Sequence, residues 1–296
     1  MRTSRFPRSA TLLGCALLLP LSSRAQATAP VAIRATATTD YTQRHIGTAG
    51  PVPEGYVFYQ GQYFPGMAHD PHMEGTEFIK IAESLARGLA KQNFYPVKTQ
   101  KDASLLLVVH WGATLVEENP IRTFQQDDFN GAQSSYNQQV KSLGVGSADP
   151  SGITFNLMIS QNEGTATQSS LLYNAHLLGF DESLTKEMKS AAAAINGTTD
   201  REQALRAELN EQRYFIIVMA YDNQALQKEH KGKLLWTTRI SMRSPGNSFS
   251  LALPALCRAG SDYFGRQLPE LVSATTELGP NGTVEIGGTR VMGDVR

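Results

Sequence analysis

The stretch "ASLLLVVHWGATL", Ala103 to Leu115, constrains this chain more than any other. From Ala103 to Val109 seven successive residues carry almost no polarity. A run this short and this apolar fits a strand buried on both faces, because alternate side chains of a strand point to opposite sides of its sheet. Its neighbours have to come from elsewhere in the chain. Upstream, "YVFYQGQYF", Tyr56 to Phe64, is aromatic and β-branched around a central glycine and reads as a strand. Between the two, "TEFIKIAESLARGLAKQNF" sets Phe78, Ile81, Ala82, Leu85, Leu89 and Ala90 on one helical face. Glu77, Glu83, Arg87 and Lys91 fall largely on the other side. This helix is expected to stop near Asn93, ahead of Pro96.

Two further strands lie downstream, "RYFIIVMAYD" (Arg213 to Asp222) and "KLLWTTRISMR" (Lys233 to Arg243). The polar link "NQALQKEHKG" between them favours antiparallel pairing, since a parallel pair needs a crossover. In the second strand Leu235, Thr237, Arg239 and Ser241 alternate with Leu234, Trp236, Thr238, Ile240 and Met242, which predicts one buried and one wetter face. A last helix in "SFSLALPALCRAGSDYFGRQL" carries Phe249, Leu253, Leu256, Gly260 and Phe264 along a face. Pro254 is tolerated in a first turn, so its start is placed near Leu253. The resulting order predicts an α+β domain over residues 56–268: a small, mainly antiparallel sheet with two helices packed on one face.

Residues 117–211 form an insertion between the second and third core strands that the sheet does not need. Its first part is rich in Gln, Asn, Ser and Gly and reads as loop. Its second part reads as helices: "SSLLYNAHLLG" ending at Gly179, "DESLTKEMKSAAAAING" ending at Gly197, and "TTDREQALRAELNEQ" opening on capping residues. "ITFNLMIS", Ile153 to Ser160, is a strand or a helix start, and periodicity does not arbitrate. Residues 28–55, with few large apolar side chains, are expected to be a flexible segment. Residues 269–296 form a tail in which Val284, Ile286, Val291 and Met292 flank Gly287 and Gly288 as a small hairpin or stay extended.

The N-terminus has the charged, apolar and small-residue order of a secretory signal peptide: Arg2, Arg5 and Arg8, then twelve residues from Ala10 to Leu21, then Ala25 to Ala27. That run is short of the about 20 residues needed to span a bilayer. "LLGC" at Leu12 to Cys15 has the look of a lipoprotein cleavage box, but the apolar run continues past it to Leu21. Cleavage after Ala27 removes four arginines, leaving 23 Lys+Arg against 27 Asp+Glu, a net charge of −4. An exported, periplasmic or secreted chain of this balance has no patch suited to nucleic acid. Cys257 is its one remaining cysteine, so the fold is expected to hold without an internal disulfide.

The segment "GMAHDPHMEG" gathers His69, Asp70, His72 and Glu74, side chains that ligate divalent metals. A metal site at His69, His72 and Glu74 is one reading, with His110 as a fourth ligand. The other is a helix approach, in which Asp70 caps and Pro71 opens a helix, or Thr76 caps a helix starting at Glu77, with Glu74 and Glu77 near the positive end of the dipole. His110, next to Trp111, reads as a bonded core or rim histidine; as a base it would need a partner such as Asp222. Cys257, among Leu253, Leu256 and Phe264, reads as a small buried hydrophobe. "GVGSADPSG", Gly144 to Gly152, matches neither a serine-hydrolase elbow nor a phosphate loop. No other cofactor motif is present.

Together, "YVFYQGQYF", the helix through Leu89, "KDASLLLVVHWGAT", "FIIVMAYD" and "LLWTTRISM" resemble the uncharacterised α+β domains of bacterial periplasmic and outer-membrane-associated proteins. In these an aspartate-led strand, here Asp102 to Val109, follows the first strand and helix. The resemblance covers about half of the chain after residue 27, and the helical insertion departs from it. It implies envelope binding or assembly work and transfers no catalytic residue. The expected function is a non-enzymatic envelope module that binds a protein or ligand through its insertion or an exposed sheet face. The alternative is a metal-dependent hydrolase at His69, His72 and Glu74.

Overall fold

The structure is a computed structural model of the chain; it describes residues 28–47, 50–66, 70–116, 166–193, 199–229 and 232–278. The leader with Cys15, the Gly144–Gly152 loop, Ile153 to Ser160, the 284–292 hairpin and His69 lie outside these residues.

In chain order the elements are β1 (Thr28–Ala37), α1 (Thr39–His45), the two-residue strands β2 (Ile46–Gly47) and β3 (Gly50–Pro51), and β4 (Glu54–Phe64). There follow α2 (Pro71–Glu74), α3 (Phe78–Lys91), β5 (Phe94–Pro96) and β6 (Leu105–Ala113). Next come the inserted helices α4 (Ala166–Leu178), α5 (Asp181–Ala193) and α6 (Asp200–Leu209). Then come β7 (Arg213–Asp222), α7 (Asn223–Glu229), β8 (Leu234–Arg243), α8 (Phe249–Gly260) and β9 (Val272–Glu277).

The architecture is α+β, built on a seven-stranded sheet in the order β5-β4-β6-β7-β8-β1-β9. Strands β5, β4 and β6 run parallel to one another, and β6, β7, β8, β1 and β9 alternate. The sheet is therefore larger and more mixed than the sequence suggests. Helix α3 makes β4 and β6 a parallel pair by crossing over between them, and every residue of β6 is buried. Helix α3 ends as expected, with Asn93 in the left-handed region at φ 62°.

Residues 28–37 are not a flexible lead-in. As β1 they occupy a slot between β8 and β9, with Val31 opposite both Met242 and Ala274. Val31 and Ile33 are wholly buried in the core shared with α3 and α8. The slot supplies backbone partners on both sides, so a strand of modest side chains is ordered by its neighbours. Part of the expected tail is likewise structured, since Val272–Glu277 forms the edge strand β9.

Helix α8 starts at Phe249, a turn earlier than Pro254 suggested. The proline sits inside the helix, where its missing N–H removes one bond, that to the carbonyl four residues back on Ser250, an exposed residue. The early start buries Phe249, which stacks edge-on with Tyr214 at 5.5 Å.

Both faces of the sheet are covered. Helices α3 and α8 pack on the face of Leu105, Leu107, Val109, Ile216, Val218 and Ile240. The inserted helices seal the other, burying Leu171, Leu178, Phe180, Leu184, Leu205 and Leu209 against Leu106, Val108, Phe215 and Ile217. The insertion is thus part of the core, and helices lie on two faces where one was expected. Each such side chain contributes about 1.5–3 kcal/mol by burial.

Candidate functional site

The "GMAHDPHMEG" segment resolves into a joint. Asp70 precedes the one-turn helix α2, with Pro71 at its first position, and its Oδ1 accepts from His72 N at 2.9 Å. Its Oδ2 accepts from the Tyr214 hydroxyl at 2.6 Å and from Phe249 N at 2.9 Å. Ser248, the residue at the cap of α8, makes no side-chain capping bond, so Asp70 does that work from another part of the chain. One carboxylate thereby ties the entry to α3, strand β7 and the start of α8. Burial alone would raise the Asp70 carboxyl; the bonds from Tyr214, Phe249 N and His72 outweigh it and hold the group below the usual carboxylate range.

The proposed metal ligands are placed differently. The His72 side chain is 64% exposed and lies 3.3 Å from the Asp70 carboxylate. Glu74 is exposed on the same turn. Among the described residues no group of three potential ligands converges, and His69 lies outside them.

His110 points to the sheet face that the inserted helices cover. It is buried, and its Nδ1 accepts from Gln62 N at 2.9 Å, at the bulge between Gln60 and Tyr63 of β4. Desolvation, aided by the Arg239 charge, lowers its pKa to about 4, so it is a neutral acceptor at pH 7. Asp222 is not its partner. Register sets Ile217 opposite His110, five residues from Asp222, or about 17 Å along the strand. The Asp222 carboxylate instead accepts from Ala225 N and starts α7.

Cys257 is 4% exposed, and burial pushes its thiol up to about 12, so it is no nucleophile at neutral pH. Trp111 and Trp236, 3% and 1% exposed, are core residues and offer no stacking platform.

The polar side of β8 proves to be a docking face for the insertion. Arg239 of β8 lies directly opposite Arg34 of β1, and both point toward the turn between α4 and α5. Gly179, at φ 77°, makes that turn; a Cβ there would sit 2.8 Å from the Arg34 side chain. The turn delivers Glu182 to an ion pair with Arg34. It also places Asp181 in the field of Arg239 and 3.4 Å from His176. Nearby, buried Arg213 pairs with Glu208 of α6 at 3.2 Å, donates to Ser241 Oγ at 3.1 Å and lies over the Phe180 ring. Two arginine positions that a wet face would leave in solvent therefore clamp the insertion.

A second concave feature lies on the opposite face, a groove of about 310 Å³ between α3 and α8. Ser84, Arg87 and Lys91 line it from α3, Arg258 and Ser261 from the end of α8, with Cys257 at its floor. Gly88 permits the close approach, because a Cβ there would lie 3.0 Å from both Phe264 and Ser261. Sequence reading set Arg87 and Lys91 on a solvent face. Their spacing of four was legible, but not the helix that would face them.

No protein-family model matches the chain, and no curated protein does. Among solved structures, a crystal structure of a PDZ domain protein from Parabacteroides distasonis is similar at a TM-score of 0.36 and 11% identity. The match covers 84% of this chain and 39% of that one, so the chain spans well under half the length of its neighbour.

Proposed function

We propose that the protein is an exported, non-enzymatic module of the cell envelope that binds or assembles with a partner through the outer side of α4 to α6. One observation carries this reading: the insertion is fixed to the sheet by its apolar side and by Arg34 and Arg213, while Lys186, Lys189, Arg201 and Gln203 remain exposed. A surface held this firmly needs little ordering when a partner docks. The described side chains that first suggest chemistry are engaged in architecture, Asp70 as a cap, His110 as an acceptor and Cys257 as core filling. The buried faces of the central strands move the contact from the sheet to the insertion.

The export part of the proposal is supported by the charged, apolar and small-residue order of residues 2–27. N-terminal sequencing of protein from the envelope fraction of a native host tests it. For the partner, a photo-crosslinker at Lys189 or Gln203 is compared with one at Lys98, an exposed residue remote in sequence from the insertion. The expected outcome is one specific adduct from the inserted helices. Adducts of equal yield from Lys98, or none from either helix, refute this surface.

A further inference from the structure

We propose that His110 is an acid-sensitive lock beneath the inserted helices: proton uptake by its imidazole undocks α4 to α6 from the sheet. The residue is 4% exposed and lies on the strand face of Leu106 and Val108, which those helices cover. Its Nδ1 accepts from Gln62 N at 2.9 Å, so that nitrogen carries a lone pair and no hydrogen. A proton added there sets two N–H groups against each other across the same distance. The ring has no room to swing clear on the β4 side, because a Cβ at Gly61 would lie 2.7 Å from Nδ1. Relief therefore comes from the covering side.

The surroundings oppose a second cation as well. Register lines up His110, Ile217, Arg239 and Arg34 across β6, β7, β8 and β1. Desolvation is the larger hindrance to charging His110, and the Arg239 charge adds to it. From the inserted helices, Asp181 stands in the field of Arg239 and beside His176, and Glu182 pairs with Arg34. Strands β4 and β7 present the uncharged Gln62 and Ile217. For accepting one bond an amide oxygen would serve here; an imidazole adds a second, charged state.

The sign follows from linkage. A hydrated imidazole takes up its proton near pH 6.5, whereas the folded one stays neutral down to about 4. The lock is therefore complete above about pH 6.5 and weakens as pH falls toward about 4, by up to about tenfold per pH unit in the opening equilibrium. The carboxyls of Asp70 and Asp181 are held low and take up protons below this window. The lock belongs to the sheet and its cover, so it stands or falls separately from the partner surface.

The test follows amide hydrogen exchange in the mature protein, residues 28–296, at pH 7.5 and pH 5.0, corrected for the intrinsic pH dependence of exchange. The expected result at pH 5.0 is a roughly thirtyfold, reversible loss of protection over residues 166–209, with α3 and α8 unchanged. His110→Asn offers Gln62 N an acceptor that does not titrate and should abolish the loss, whereas His72→Gln, at an exposed histidine, should leave it. Arg239→Gln keeps the imidazole, lifts the neighbouring charge and should lessen the loss. Circular dichroism at pH 7.5 checks each variant for fold. The proposal is overturned if protection over residues 166–209 falls by less than about threefold, or if α3 and α8 lose as much. It is also overturned if folded His110→Asn keeps the parent's loss or, where that variant does not fold, if Arg239→Gln leaves the loss at full size.

Discussion

Replacing Asp70 with Asn tests whether "GMAHDPHMEG" is a joint or a ligand site. The carboxylate accepts three bonds of 2.6 to 2.9 Å, from Tyr214 and Phe249 on one oxygen and His72 N on the other. An amide of the same shape keeps one acceptor oxygen and turns an NH2 toward at least one donor. If the oxygen stays on the Tyr214 and Phe249 side, the His72 N bond is lost; if it flips, two bonds are lost. Bonds to a charged acceptor are worth about 1.5–3 kcal/mol each, so the expected loss is about 2–4 kcal/mol. Denaturant unfolding at pH 7 measures it, with Tyr214→Phe and the double variant closing a cycle whose coupling should be about 1–2 kcal/mol.

The pH dependence has a definite sign. The folded carboxyl is held below its unfolded value of about 3.9, so its contribution is complete above that value and fades as pH falls through the lower folded one. The difference between parent and Asp70→Asn should therefore shrink below about pH 4. A loss under about 1 kcal/mol at pH 7, or a difference that keeps its full size at pH 2, would falsify the capping role. So would a parent whose unfolding midpoint drops on chelator treatment, which points to a metal at the same residues.

Three further outcomes follow from the packing. Leu205→Ala, on the buried side of α6, should cost about 2–4 kcal/mol in denaturant unfolding, whereas Gln203→Ala two residues away should stay within about 0.5 kcal/mol. Deleting residues 166–209 should yield aggregated protein by size-exclusion chromatography; a soluble monomer with native thermal stability would show the sheet face needs no cover. Cys257, with its thiol pushed to about 12, should react with a neutral maleimide at pH 7.5 far more slowly than in denaturant, as read by mass spectrometry.

The parts of the fold legible in the sequence are those whose signal is carried within one element. The stripe from Phe78 to Leu89 found α3, and the run through Val109 found β6, because each buries its own large side chains. What stayed hidden depends on partners far away in the chain. In β1, Val31, Ile33 and Ala35 alternate correctly, but an entropy argument confined to the segment could not include two flanking strands. Thr237 and Ser241 were read as wet and are 2% and 1% exposed, and Ser241 takes its bonds from Arg213 of the neighbouring strand β7. Asp70 was recognised as a cap. Its second helix, α8, begins 179 residues later and leaves no local trace.

The position of β1 also sets an order of assembly. The first strand pairs only with β8 and β9, at separations such as Val31 to Met242, so the sheet cannot close until residues up to about Glu277 are available. Until then β8 presents an open edge of hydrogen-bonding groups, and an open edge is where strands from other molecules add. A chain emerging N-terminus first holds its own safeguard in hand from the start and can use it only at the end. The interval between those two moments, and not the stability of the finished sheet, is when this protein is most exposed to self-association.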